Sequence, residues 1–418
     1  MDVISAVIIS EESISKVKKA NLYFWLSFLV YSLSFTLSTS DSVNYIYCQL
    51  FQILGLLLLV PTAFILFQWK FDTTYLKTIF IIYAFWTVIV ILRGFHTNYQ
   101  FIKFLLFDAT FGIFLYFVPL VIFFPRDLNY YKKIFDIIII FGIFYIVYDL
   151  LFIKDLLREG RNLKSQGIIE YFSQNLSFQS GFLLLTFIYH TKKRRLLALA
   201  VILLTFLLAA IRARRSLMFV SVSILTLYFL VYYYSHKVKV VVLFFSFLII
   251  IVVSILGTRF YNNNREGLFG YITERMDEQT RSGVVTYFYN DMQTTDWIAG
   301  KGIDGQYYYP GIDNGVLTSY RGVIETGYLQ IILKGGIISL VLLLLIAIPA
   351  MIKGIFNSKN ILSKAAGLWI LLFLINLYPL TLASFSMNYI LVWISIGICY
   401  SKTIRDTPES TVIEIFTK

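Results

Sequence analysis

The sequence predicts an all-α polytopic membrane protein of about twelve transmembrane helices, with a large extracytoplasmic loop between the ninth and tenth spans. Three observations predict it. The chain is 58% hydrophobic and only 14% charged, with a mean hydropathy of +0.74, whereas soluble domains are nearer a quarter charged. Apolar runs of membrane-crossing length recur along the whole sequence. The cations between those runs alternate, rich in one connection and sparse in the next, as the positive-inside rule requires. An outer-membrane barrel would instead show short alternating segments. Cys48 and Cys399 sit far apart in apolar runs, so neither a disulfide framework nor a metal site is suggested. The charged start leads into a span without a small-residue cleavage site, so no cleavable signal peptide is expected.

In order, the apolar runs place spans at 21–40, 45–67, 76–92, 102–124, 134–153, 177–190, 196–211, 217–234, 239–257, 336–353, 365–382 and 387–400. With the N-terminus cytoplasmic, the inner connections carry Lys16, Lys18 and Lys19, then Lys70 and Lys77, then Arg126, Lys132 and Lys133. The run 192–195, Lys237, Lys239, Lys353, Lys359, Lys364, Lys402 and Arg405 continue the pattern. Twelve spans return both termini to the cytoplasm and put the polar stretch near 259–336 outside. The expected organisation is therefore 1–257 as a membrane domain of nine spans and 258–335 as an outer loop with a re-entrant helix. Residues 336–400 add three more spans, and 401–418 form a cytoplasmic tail that carries no message of its own. Backbone in the outer loop needs water or a wet cavity, because hydrocarbon leaves its polar groups without partners.

Three outer segments carry cations where the rule predicts few. Residues 154–174 hold Arg158, Arg161 and Lys164 at helical spacing, with Leu156, Leu157, Leu163, Ile168 and Ile169 between them, which reads as an interfacial amphipathic helix. Arg212-Ala213-Arg214-Arg215 is wedged between two spans at their outer end. The long loop adds Arg259, Arg265, Arg275, Arg281, Lys301, Arg321 and Lys334. Snorkelling to lipid phosphate accounts for a lone arginine. A tight turn with three arginines repels itself unless an anion joins it, and the planar guanidinium fork suits phosphate oxygens, so pyrophosphate is the natural guest. Net charge of +12 would otherwise suggest nucleic acid, but its distribution follows membrane orientation and no nucleic-acid partner is expected.

Acids inside spans are few. Asp136 and Asp149 fall near the ends of theirs, which leaves Asp108 as the one placed at depth, where a hydrogen-bonded core role is the simpler reading. His96, His190 and His236 all fall at connections without ligand spacing. In the long loop, 281–296 has a helical apolar face (Val284, Val285, Phe288 and Met292), followed by Trp297-Ile298-Ala299 and a glycine turn over 300–305. That turn follows no strand, so a dinucleotide site is unsupported. Tyr307, Tyr308 and Tyr309 offer ring faces suited to sugars or, equally, to anchoring at the interface. Asp313 and Asn314 sit in a turn, and Glu325 stands where the loop re-enters apolar sequence, before a helix that Gly335-Gly336 would break. Partial burial of Glu325 would suit a base; a helix-start acid complementing the dipole explains it as well.

At these residues the sequence resembles the O-antigen polymerase (Wzy) and O-antigen ligase superfamily. The resemblance lies in the twelve-span layout, the arginine turn at 212–216, Arg281 followed by the Trp297–Gly305 glycine pattern, and the stretch from Glu325 to Gly336. Ligases typically carry a histidine where this chain has Glu325, which argues for the polymerase. The resemblance implies a GT-C-like glycosyltransferase of the bacterial inner membrane that polymerises undecaprenyl-pyrophosphate-linked oligosaccharide repeat units into O-antigen or capsular polysaccharide. It implies Glu325 and Arg321 as catalytic, and Arg212, Arg214, Arg215 and Arg281 as holding the pyrophosphate without metal. Arg158, Arg161, Tyr307, Tyr308, Asp313 and Asn314 would bind sugar. No cofactor is implied; donor and acceptor lipid-linked oligosaccharides, the bilayer and a chain-length regulator are the implied partners. An O-antigen ligase acting on lipid A core, and a lipid-linked oligosaccharide flippase, are the alternatives.

Overall fold

The computed structural model describes residues 2–40, 43–158, 163–235, 280–310, 319–381 and 384–417. Among them, seven helices are long and apolar enough to cross a membrane, which makes the chain a helical membrane protein. They are α1 (Asp2–Ser38, apolar from Ser15), α2 (Tyr45–Leu66), α3 (Thr74–Leu92), α5 (Leu128–Leu151), α9 (Lys192–Ile211), α10 (Arg215–Ser235) and α13 (Gly327–Phe356). Only 17% of the apolar window of α3 and 28% of that of α2 is covered by protein. Leu57, Phe64, Phe85 and Leu92 on these helices are each more than half exposed. Side chains this apolar and this uncovered require lipid as their solvent. The expected span at 239–257 lies outside the described residues.

Helix starts follow local chemistry. Thr73, Asp127, Thr191 and Asn360 each accept a backbone N–H of the first turn of the helix they precede. The bundle has a proximal end, where α1 becomes apolar, and a distal end, where α3, α5 and α9 finish. The core is aromatic: Trp25, Phe28 and Tyr31 of α1 are buried with Trp369 of α14 (Ile361–Asn376) and Trp393 of α15 (Met387–Tyr400). Phe28 and Tyr31 both meet Phe385 edge-on.

Three expectations are corrected. The span at 102–124 is not one helix. Helix α4 (Tyr99–Phe107) stops at Asp108, whose carboxylate accepts the N–H groups of Thr110 at 2.7 Å and Phe111 at 2.6 Å, and a 3₁₀ segment follows over Ile113–Phe123. A short acidic side chain competes with the helix for backbone donors, and Pro119 has no N–H to restore the ladder. The helix expected over 154–174 is not one helix, and it is packed into the protein. A single turn, α6 (Ile153–Leu156), precedes α7 (Leu163–Phe172), whose Ser165, Gln166, Ile168 and Ile169 are buried. Helix α7 continues through a π-turn at Ser173–Ser177 into α8 (Ser180–Leu185) and a 3₁₀ turn at Phe187–Tyr189, so the expected span at 177–190 is the end of a longer interrupted rod.

The tail is the third. Expected to carry no message, it is folded: α16 (Lys402–Asp406) and α17 (Glu409–Thr417) dock on the proximal end. Glu409 accepts the Ile361 N–H at 2.6 Å and the Tyr189 hydroxyl at 2.5 Å. Val412 and Phe416 are buried, with Phe416 against Phe135 and Tyr189. An acid at the start of α14 complements that helix's dipole.

Candidate active site

Two assemblies stand at the distal end. The first is the arginine turn. Helix α9 ends with Ala213 at φ 52, a left-handed residue that lets Ala213 N–H reach Ala210 O (3.1 Å) and Arg214 N–H reach Ala209 O (2.8 Å). Helix α10 then starts at Arg215. The three arginines have different surroundings. Arg212 is 1% exposed and donates Nε to Leu156 O at 2.7 Å and Nη2 to Asp155 O at 3.0 Å and to Arg158 O. Its guanidinium therefore satisfies the carbonyls that α6 leaves open, which corrects its expected role as an exposed pyrophosphate ligand. Arg214 pairs with Glu170 of α7 at 3.2 Å, and Arg215 is exposed at the first position of α10. Arg158 contributes its carbonyl to this network while its side chain is exposed; Arg161 lies outside the described residues.

The second assembly is built on glycine. Helices α11 (Thr280–Asp291) and α12 (Thr294–Ala299) lead into the turn at 300–305, and the turn meets the ends of α3 and of the first segment of α13, which breaks at Gly336 (φ 71, ψ −179). Three helix C-termini converge here, each with carbonyls that lack a helical partner. Each is capped by another segment. Lys301 and Gly302 N–H groups bond Leu333 O (2.7 Å) and Lys334 O (2.9 Å), and Ile303 N–H bonds Val90 O (3.0 Å). Arg93 donates to Ala299 O and Gly300 O, both at 2.7 Å, and Trp86 Nε1 to Gly335 O at 2.9 Å. Lys334 Nζ bonds Gly305 O at 2.9 Å, while Lys301 pairs with Asp291 and, at 3.8 Å, Asp296. Positive charge is favourable where helix C-termini gather. Lys301 and Lys334, counted among the surplus outer cations, are thus engaged in folding the loop.

The glycines are needed because backbones touch. A Cβ on Gly300 would lie 2.5 Å from the Gly335 and Gly336 nitrogens, and one on Gly336 would overlap the Ile298 carbonyl. The pattern of glycines around Lys301 is therefore a backbone crossing rather than a ligand cradle.

This clamp holds the segment bearing Glu325. Gln330 accepts Ile324 N–H at 2.8 Å and donates to Gly322 O at 3.3 Å; Thr381 donates to Ile324 O (3.0 Å) and Glu325 O (3.2 Å). Gly327 N–H bonds Leu377 O at 2.7 Å. A hairpin precedes it, with β1 (Tyr307–Tyr308) antiparallel to β2 (Tyr320–Arg321) and Tyr307 opposite Arg321. The two tyrosines part company. Tyr307 is buried with Phe288, Met292 and Ile324 and donates to Val323 O at 3.2 Å, whereas Tyr308 is exposed against Tyr320. Burial pushes the Tyr307 hydroxyl up to about 12; Arg321 opposes that rise, and Tyr309 and Glu325 add to it, so both expected catalytic residues act on one point. Of the pair expected to bind sugar, only Tyr308 offers a ring face, and burial of Tyr307 corrects that assignment. Glu325 is exposed rather than partly buried, a third correction, although Thr381 holds its main chain. Arg281 stands in the first turn of α11 with its side chain outside the described residues, and Asp313 and Asn314 lie outside them altogether.

Beside the first segment of α13 a cavity of about 80 Å³ opens between α3, the 3₁₀ segment, α13 and α15, with Thr87, Tyr116, Gln330, Lys334, Thr381 and Tyr389 among its lining. Sequence reading passed over Arg93, Trp86, Gln330 and Glu170. Only Arg93 left a signal, as a cation just beyond the outer end of a span. Among the described residues no cluster of three or more metal-ligating side chains occurs. The chain matches no family model, no curated protein and no solved structure.

Proposed function

We propose that this chain is a bacterial inner-membrane glycosyltransferase that polymerises undecaprenyl-pyrophosphate-linked oligosaccharide repeat units, with its distal end facing outward. The observation that carries the reading is the arginine turn. Arg212, fixed among main-chain carbonyls, sets a rigid corner from which Arg214 and Arg215 present charge at the N-terminus of a long helix. That combination favours an anion twice, through guanidinium forks and through the helix dipole. In the proposed reaction an acceptor sugar hydroxyl attacks the anomeric carbon of the donor. The bond from that carbon to the pyrophosphate oxygen breaks, and the undecaprenyl pyrophosphate leaves as an anion held by Arg214, Arg215 and Arg281. Stabilising charge that develops on a leaving group is commonly the largest catalytic term. Glu325 takes the hydroxyl proton, with Arg321 on the hairpin strand that precedes it. Exposure of Glu325 suits a base that must meet a large acceptor arriving from water, and Tyr308 and Tyr320 supply ring faces close by.

A lipid-linked oligosaccharide transporter is the second reading, favoured by one observation: Asp149 is buried inside the bundle at 2% exposure, and intramembrane acids are a transporter feature. Surface polysaccharide from a strain lacking this chain separates the two. A ladder reduced to single capped repeat units supports the polymerase; loss of even the single unit supports transport or ligation; an unchanged ladder overturns both.

A further inference from the structure

Asp149 was expected near the end of its span, and it does lie in the last turn of α5, yet it is buried. Phe172 of α7 packs at 5.4 Å on Tyr148, the residue before Asp149, and at 5.4 Å on Phe152, three residues after it. Neither carboxylate oxygen has a hydrogen-bond partner among the described residues, and no described lysine or arginine pairs with it. One turn earlier on the same helix, the Tyr145 hydroxyl interacts with Asp149, Ser173 and Thr205. It does so without hydrogen-bond geometry to any of them, and Ser173 Oγ is equally unpartnered. Oxygens from α5, the π-turn and α9 thus gather around one point without well-aligned direct bonds. A carboxylate and two hydroxyls, Tyr145 and Ser173, enclosed without well-formed hydrogen bonds would cost several kcal/mol if nothing stood among them.

The π-turn bears on what stands there. It begins at Ser173, whose carbonyl accepts from Phe178 N–H at 3.2 Å, five residues on. Such turns disturb the α ladder, frequently at functional sites, and irregular backbone at membrane depth is where carbonyls become available to ions. Thr205 Oγ1 donates to Val201 O at 2.8 Å and contacts Ser177 Oγ, so its lone pairs can still face the cluster. One negative charge with several neutral oxygens is the donor set of a hard monovalent cation. Zinc would draw on nitrogen or sulfur, and calcium usually on more carboxylates.

We propose that Asp149, Tyr145, Ser173 and Thr205 hold a sodium ion inside the bundle. The charges then cancel, the hydroxyl dipoles have an object, and the ion ties α5, the π-turn and α9 together below the arginine turn. Because the ion is read on the purified protein, the outcome is independent of which reaction the distal end performs.

The test is thermal unfolding of the purified full chain in detergent at fixed pH and ionic strength, with sodium chloride replacing choline chloride in steps. Sodium should raise the midpoint by several degrees and saturate, as for a ligand that binds only the folded state. Asp149→Asn should be insensitive to the exchange. Ser173→Ala, which keeps the carboxylate, should need several-fold more sodium for half the effect, and this arm stands if Asp149→Asn fails to fold. A hydrophobic carbodiimide, which modifies protonated buried carboxyls, should label Asp149 more slowly as sodium is added. Equal midpoints in sodium and choline, or labelling of Asp149 that ignores sodium, would overturn the proposal in favour of a proton or a water. Sodium dependence that survives Asp149→Asn would overturn it too.

Discussion

Gly336→Ala tests whether the first segment of α13 is held by backbone contact. The residue sits at φ 71, ψ −179, a region open essentially to glycine alone, and forcing a side chain there costs roughly 1–3 kcal/mol. The new Cβ would also overlap the Ile298 carbonyl, and the next nearest atoms are backbone as well, so nothing nearby can rotate away. Overpacking of that kind adds roughly 1–3 kcal/mol, giving about 2–6 kcal/mol in all. Gly167→Ala is the control. Gly167 lies in α7 with nothing within 4 Å of a built Cβ, so alanine there should be neutral or stabilising by about 0.5–1 kcal/mol. Unfolding of the purified protein in mixed micelles with rising SDS fraction would give both numbers. If Gly336→Ala unfolds with wild-type protein while Gly167→Ala behaves as stated, the crossing of the glycine turn and α13 is not what holds the loop.

Arg212→Met should destabilise strongly, because three carbonyl acceptors lose a charged donor worth roughly 1.5–3 kcal/mol each at most, and the variant should be depleted from membranes on an immunoblot. Arg215→Ala should instead be present at normal levels and give no long-chain polysaccharide on a gel; normal chains would remove the pyrophosphate clamp. Glu325→Gln should hold donor while losing turnover, read as single-unit polysaccharide with unchanged protein. Glu409→Ala should lower the unfolding midpoint by about 1–3 kcal/mol equivalent, since Ile361 N–H and the Tyr189 hydroxyl both lose their acceptor, and protease should then release the tail first.

What could be read beforehand follows from which interactions are local. The long spans were legible because hydrocarbon demands continuous apolar sequence, and the Gly336 break because glycine pairs interrupt helices wherever they stand. Asp108 was legible in part: its hydrogen-bonded role was expected, but not that it would end a helix, since that depended on which backbone donors it captured. Partners remote in sequence were not legible. Arg212 reaches carbonyls more than fifty residues away, and Arg93 caps a helix end about two hundred residues on. A free outer arginine and a buried structural one look alike in a string of letters. Asp149 was placed near the end of its span, where it does stand, but its burial depends on segments remote in sequence, such as the π-turn and α9.

The arginine turn sets stability against use. A cation in the first turn of a helix opposes its dipole by typically 0.3–1 kcal/mol, and Arg215 begins α10, with Arg214 just before it. Glu170 relieves Arg214. Arg212 offsets the remainder by bonding three carbonyls, so the corner survives with its charge concentrated on one side. A fold under no other demand would place an acid or a serine at that corner. The unfavourable choice is intelligible if an anion completes the turn during each cycle and then leaves. In the proposed reaction the leaving pyrophosphate would be bound most tightly at the moment its charge appears, with Glu170 as the competitor that helps release it.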